Sequence, residues 1–263
     1  MVSEGNGITV DQQVRARLDF PHHQRALLEE SGISPQVVLE RGYSTVKIKV
    51  DLERLDFSKA QQLVPALLIP MYSPRGVLVT HQIKPDVPRV DKDGKPVKYE
   101  TPKGSEVRLD VHPSQVARVK DPEVPLWITE GVKKGDCLVS RGQCAVVLQG
   151  VWCWQRDGIA LADWEEIKLH GRRVYVAFDS DVMTKSNVQS ALECGAAFLR
   201  GRGAELKIVY LPDKESGEKQ GVDDYLASGG TIEGLAQYVE DELRKDCREV
   251  GRLLADVEPE EVD

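Results

Sequence analysis

Metal-anchoring signatures are sparse in this sequence. Its five cysteines, Cys137, Cys144, Cys153, Cys194 and Cys247, are odd in number and never stand in CxxC spacing. From the cysteines no disulfide framework and no structural zinc are expected, and a reducing, cytoplasmic setting is. The five histidines form no HExxH and no metal-spaced pair; His22 and His23 are adjacent, which points them different ways on a helix. No apolar run approaches the roughly 18 residues of a membrane span, so no membrane partner is expected. Met1 to Val10 lack a basic stretch followed by an apolar core, so no signal peptide is expected. Bases are outnumbered 35 to 43, a formal charge of −8, which excludes a globally basic nucleic-acid coat protein but leaves room for local basic surfaces.

What is present is an ordinary globular composition, 41% hydrophobic and 30% charged over 263 residues, enough for one large domain or two small ones. The pattern predicts a flexible N-terminus (1–19), an α+β accessory subdomain (20–122), an α/β domain (123–245) and an acidic tail (246–263). In the accessory part, Pro21 and Gln24 to Glu30 suit one helix. Ser34 as N-cap, Pro35 in the first turn and Gly42 as stop frame a second. Leu67–Tyr72 and Val77–Ile83 around Ser73-Pro74-Arg75-Gly76 read as a β-hairpin. Residues 84–120 are irregular, with nine Lys/Arg against six Asp/Glu.

From Pro125 strands and helices alternate: strands at 126–129, 144–148, 173–178 and 205–211, helices at 132–140 and 187–202. Asp163 is placed as the cap of a short helix, and Thr231 as the cap of a last one carrying Ile232, Leu235, Val239 and Leu243. Such alternation implies a parallel sheet with right-handed crossovers.

Ligands sit at the carboxyl ends of strands in open parallel sheets. Two predicted strands end in acids, one at Glu130-Gly131 and one at Asp179-Ser180-Asp181. In extended backbone Asp179 and Asp181 face the same way. Clustered carboxylates raise one another's pKa unless a cation compensates, and hard oxygen ligands suit Mg²⁺ or Mn²⁺. A lone DxD also serves as a capped loop. After the fourth strand, Gly221-Val222-Asp223-Asp224-Tyr225-Leu226 offers either a capped helix or a further metal-side acid, Asp223. Lys133 and Lys134 open the helix after Glu130, as phosphate contacts or a solvent-facing pair. Lys92, Lys95, Lys98 and Lys103, with Tyr99 and Arg108, combine charge with a stacking ring, the usual single-strand recipe, or form an exposed lysine-rich hairpin. Trp152 and Trp154 suit base stacking or core packing.

The order strand–Glu-Gly–helix, strand, strand–Asp-x-Asp–helix, strand–Leu-Pro, Gly-Val-Asp-Asp-Tyr-Leu resembles a Toprim domain over roughly residues 123–240. That domain is shared by bacterial-type primases, topoisomerases and some nucleases. The chain is most similar to Toprim-like proteins of phage and plasmid replication, mobile genetic elements included. The likeness to those proteins extends upstream to Lys95–Ser105. The resemblance implies a Toprim-like parallel sheet flanked by helices, preceded by the smaller α+β subdomain. It implies Glu130 as general acid/base or metal ligand, Asp179 and Asp181 as Mg²⁺ ligands, and Asp223 as a further candidate ligand.

It implies Mg-dependent nucleotidyl transfer on nucleic acid, with single-stranded DNA or RNA and nucleoside triphosphates as partners, and a replicative helicase as a further one. A Toprim metal-dependent nuclease and a non-catalytic single-strand or helicase-binding accessory are the alternatives. The chain departs from the primases in carrying Lys134 where they commonly have an acid. Val182 follows the second aspartate where a glycine is common, and there is no cysteine-rich zinc module and no GxxxxGK[ST] loop. These departures bear on de novo priming more than on metal binding.

Overall fold

The computed structural model describes residues 9–244. Its N-terminal layer comprises α1 (Val10–Arg17), α2 (Pro21–Leu28), α3 (Pro35–Arg41), β1 (Ser44–Val46), α4 (Lys49–Glu53), β2 (Ala66–Tyr72) and β3 (Leu78–Pro85). Strands β1, β2 and β3 form an antiparallel sheet in that order. Local chemistry sets the helix ends. Thr9 and Gln12 form a reciprocal capping box on α1, and Ser34 Oγ accepts the Val37 amide at the start of α3. Gly42 ends α3 at φ 87°, a left-handed conformation that favours glycine. The expectation of a flexible 1–19 is corrected in its second half: Val14 and Leu18 are 1% and 0% exposed, and α1 lies on α3 because those side chains complete its core.

An irregular arm follows, closed by isolated bridges between Ile83 and Glu100 and between Val90 and Pro96. Then come β4 (Asp110–Val111), β5 (Leu126–Glu130), α5 (Val132–Ser140), β6 (Cys144–Leu148) and a small hairpin of β7 (Gln155–Arg156) and β8 (Ile159–Ala160). The chain continues through β9 (Arg173–Ala177), α6 (Ser186–Gly201), β10 (Glu205–Val209), α7 (Val222–Ala227) and β11 (Val239–Glu240). Six of these strands make one sheet, ordered β11-β10-β9-β5-β6-β4. The inner four are parallel, and the two-residue edges, β4 and β11, are antiparallel. The sheet therefore starts at Asp110, upstream of the expected domain boundary at 123.

Central strands β5 and β6 are largely apolar on both faces because both are covered, whereas β9 and β10 begin with the exposed Arg173 and Glu205. Trp127, Ala145, Ala177 and Val209 face α5 and the N-terminal helices, while Ile128, Val146, Val176 and Ile208 face α6. Each such large side chain contributes roughly 1.5–3 kcal/mol by leaving water. Trp127 also stacks on its cross-strand neighbour Tyr175, centroids 4.6 Å apart. From β5 the chain moves to β6 on one side, then crosses back to β9 on the other. The gap between the ends of β5 and β9 is thus a topological switch point, where such sheets bind ligands.

Three local expectations are corrected. Asp163 is not a helix cap: both its oxygens accept from Arg108 and one also takes the Leu109 amide. After Thr231 the chain forms a 3₁₀ turn (Glu233–Tyr238) and then β11, because Val239 pairs with Val209 at the sheet edge. The segment Ser180–Met183 is a 3₁₀ turn, so Asp179 and Asp181 do not share an extended face. The expected tail, 246–263, and Cys247 lie outside the described residues.

Candidate active site

Glu130 is the last residue of β5, and Gly131 turns the chain at φ 89° into α5. A Cβ on Gly131 would meet no atom within 4 Å, so the backbone angle and not space asks for glycine there. Asp179 follows the end of β9 and Asp223 lies in the first turn of α7; both are buried. Ser180 laces the loops together: its amide donates to the Gln220 carbonyl, its Oγ donates to Asp213 Oδ1 at 2.5 Å, and the Gln220 amide donates to that Oγ.

Glu130, Asp179 and Asp223 line a cleft of about 800 Å³. Its floor carries Lys133 and Lys134 from α5, and Lys214 and Lys219 come from the loop before α7. The N-terminal layer adds Met71 of β2 and Lys84 of β3 to the lining, and the arm adds Lys98 and Tyr99. Asp181 is not among the lining residues and pairs with Lys185 at 2.6 Å.

Lysines thread this acid cluster. Lys134 Nζ stands 2.8 Å from Asp179 Oδ1, and Lys219 Nζ donates to Asp179 Oδ2 at 2.6 Å. Burial pushes the Asp179 carboxyl up, but the two lysines outweigh it and hold it below the ordinary range. Burial raises Glu130, opposed by Lys134 and reinforced by Asp179. Burial also raises Asp223, against Lys134 and Lys133. Lys134 in turn is held above its usual pKa: burial opposes its charge, but Asp179 and Asp223 win. Lys133 donates to Ser31 Oγ at 2.8 Å, and burial together with Lys84 lowers its pKa.

The donor set is all carboxylate, which suits Mg²⁺ or Mn²⁺. Asp223 Oδ1 is buried with no hydrogen-bond partner. It and Asp179 Oδ1 both lie within 3.0 Å of the point where a Cβ on Gly221 would stand, so glycine there keeps two carboxylate oxygens close to one position. Among the described residues, no three of Glu130, Asp179, Asp181 and Asp223 bring their oxygens within 4.8 Å of one another. An ion held by one or two carboxylates plus water and phosphate oxygens, as Mg²⁺ usually is, fits this arrangement; a tight all-protein cage does not.

The predicted nucleic-acid residues divide. Lys98 and Tyr99 reach the cleft, whereas Lys103 lines a separate groove beside Arg54 and His81. Lys95 sits in the turn of the arm, where Asp91 Oδ1 accepts its amide. Arg108 is corrected: its guanidinium forks onto Asp163, because that buried carboxylate requires a cation. Trp154 stacks on Phe198 against α6, and Trp152 Nε1 donates to Asn187. Sequence reasoning missed Lys219 and Lys214, which lie in a loop with no periodicity; Gly221 close by was the available signal. It also read His22 and His23 as diverging, whereas both reach Asp86.

A family model described as a domain of unknown function (DUF3854) matches residues 116–233, a little under half of the chain. An uncharacterized protein of Picosynechococcus sp. (strain ATCC 27264 / PCC 7002 / PR-6) is 25% identical over 187 residues. The match covers 56% of this chain and 18% of that protein, so the chain spans less than a fifth of this relative's length. Among solved structures, the zinc-binding and RNA polymerase domains of Aquifex aeolicus primase superpose with a TM-score of 0.60 at 17% identity, covering 91% of this chain and 64% of that one. The Escherichia coli primase catalytic core gives 0.56 at 16%, covering 94% and 81%. A DnaG primase catalytic domain bound to single-stranded DNA gives 0.56 at 16%, covering 88% and 77%. The likeness is one of fold: the chain has a primase-like α/β fold.

Proposed function

We propose that this chain is a Toprim-type catalytic core that performs Mg²⁺- or Mn²⁺-dependent nucleotidyl transfer on single-stranded nucleic acid, within a phage or plasmid replication protein. One observation carries the reading: Glu130, Asp179 and Asp223 meet Lys133, Lys134 and Lys219 in one large cleft at the switch point of a parallel sheet. Carboxylates for a cation and ammonium groups for phosphates are both required to hold a triphosphate. The fold shared with primase cores, one of them bound to single-stranded DNA, supports the same reading.

Asp179 and Asp223, with water and phosphate oxygens completing the shell, would hold the ion, which would neutralise charge on the triphosphate. Lys134 and Lys219 exchange part of their hold on Asp179 for phosphate oxygens. Lys98 and Tyr99 give a strand a charge and a ring in the same cleft. Glu130 takes the proton of the attacking 3′-hydroxyl. The new bond joins that oxygen to the α-phosphorus, and pyrophosphate leaves with the electrons of the broken bond.

The test is incubation with single-stranded DNA, labelled nucleoside triphosphates and Mg²⁺ or Mn²⁺, beside Glu130→Gln and Asp179→Asn. Labelled oligomers that disappear in both folded variants are expected. Shortened DNA without incorporation would replace the proposal with a nuclease. Strand binding that survives both substitutions, with no chemistry, would replace it with an accessory that binds single strands or a helicase.

A further inference from the structure

On the N-terminal layer, in a hollow that shares only Lys84 with the acid cleft, His22 and His23 open α2 and Asp86 follows the last residue of β3. His22 Nε2 lies 2.8 Å from Asp86 Oδ2, and His23 Nε2 lies 2.8 Å from Asp86 Oδ1. Their potential ligating atoms fall within 4.8 Å of one another, and among the described residues no other His/Cys/Asp/Glu triad does so. The carboxylate spans two adjacent rings whose centroids lie 4.3 Å apart.

Three further features fit a metal centre. His23 is 3% exposed, and its Nδ1 stands 2.8 Å from Thr45 Oγ1. The Thr45 hydroxyl on Nδ1 fixes the ring and leaves Nε2 as the ligating atom. His22 is held by a stacked Phe20, centroids 5.5 Å apart, yet its side chain is 49% exposed, which gives an ion a path from solvent. The Asp86 amide donates to the Pro65 carbonyl, anchoring the third ligand. Lys84 lines the same hollow and opposes a cation; Asp86 supplies the compensating charge.

We propose that His22, His23 and Asp86 bind one transition-metal ion of the Zn²⁺ type. Two imidazoles and a carboxylate match the three protein ligands of an open zinc site, with a fourth position for water. Mg²⁺ is disfavoured, since it prefers oxygen ligands. The ion ties α2 to the root of the arm that carries Lys98 and Tyr99 to the cleft, and it stands apart from the carboxylates assigned to nucleotidyl transfer.

The test uses the full chain without a polyhistidine tag, treated with chelator and titrated with Co²⁺. One equivalent producing the visible bands of low-coordinate Co²⁺, displaced by Zn²⁺, is expected. The bands vanish in His22→Ala and Asp86→Asn, each checked for folding by circular dichroism, and persist in Asp179→Asn. Thr45→Ala weakens binding by roughly 10–100-fold. Absent bands in the wild-type chain overturn the proposal, as do bands that survive His22→Ala and disappear with Asp179→Asn. Zn²⁺ also raises the melting temperature of the wild-type chain and leaves that of Asp86→Asn unchanged; equal shifts in both would count against the site.

Discussion

Arg41 and Asp136, ninety-five positions apart, meet with both side chains fully buried. The guanidinium forks onto the carboxylate at 2.6 and 3.0 Å and reaches Asp110 at 2.7 Å, while Tyr43 donates its hydroxyl to Asp136. Burial opposes the charge on Arg41, but Asp110 and Asp136 outweigh it and raise its pKa. This cluster fastens α3 to α5, the helix that leaves Glu130. Arg41→Met strands two buried carboxylates and is expected to cost about 3–5 kcal/mol. Asp136→Asn keeps part of the hydrogen bonding and is expected to cost about 1–3 kcal/mol. Urea denaturation of both checks the order; equal stability of Arg41→Met and wild type would refute it.

Lys134 stands where an added carboxylate would have favoured a metal. Replacing it with Gln removes a positive charge beside Asp179, Asp223 and Glu130. Mn²⁺ binding, followed by electron paramagnetic resonance, is expected to tighten roughly tenfold, equivalent to about 1.4 kcal/mol. Nucleoside triphosphate binding is expected to weaken, since the proposed function gives the same ammonium a phosphate to hold. Unchanged Mn²⁺ affinity would mean that Lys134 does not compete for the site.

Gly135 lies on the face of α5 that meets β6. A Cβ there would come within 2.2 Å of Val147 Cγ2. Alanine normally gains about 1 kcal/mol over glycine inside a helix. Here overpacking wins, and Gly135→Ala is expected to lose about 1–3 kcal/mol net. Gly201→Ala, at the open end of α6, meets nothing within 4 Å and is expected to be neutral or slightly stabilising. Thermal melts of the pair separate contact from propensity.

The thiols are expected to react in an order set by burial. Cys137 is 0% exposed and burial pushes its pKa up to about 12; burial also raises Cys144, despite Arg172. Cys194 on α6 is exposed. Iodoacetamide at mildly alkaline pH, read by peptide mass spectrometry, is expected to modify Cys194 first and leave Cys137 and Cys144 until denaturant is added. Early labelling of Cys137 would show that the α5–β6 contact opens readily.

The strands that lead to Glu130 and Asp179 were legible because buried parallel strands are short apolar runs, and Gly131 marks the turn that follows one of them. The segment after Thr231 was not: Ile232, Leu235 and Val239 keep a helical period, but β10 has an open edge and Val239 pairs there with Val209. Arg41, Asp110 and Asp136 could not be connected from sequence, since tertiary folding alone brings such distant charges together. The reach of Asp86 to both adjacent histidines was hidden for the same reason. Lys95 to Arg108 looked like one surface because they are neighbours in sequence, yet the arm sends them to different places.

The mixed sheet ends on each side in a strand of two residues running against its neighbours, β4 on one flank and β11 on the other. Long unpaired strand edges recruit other chains, and proteins blunt them with short terminal strands. At β11 only a few free amides and carbonyls meet a passing strand, while Asp110 and Val111 of β4 are fully buried. The sheet that carries the acids is thereby guarded against edge-to-edge association, so aggregation through this sheet requires β4 or β11 to detach first.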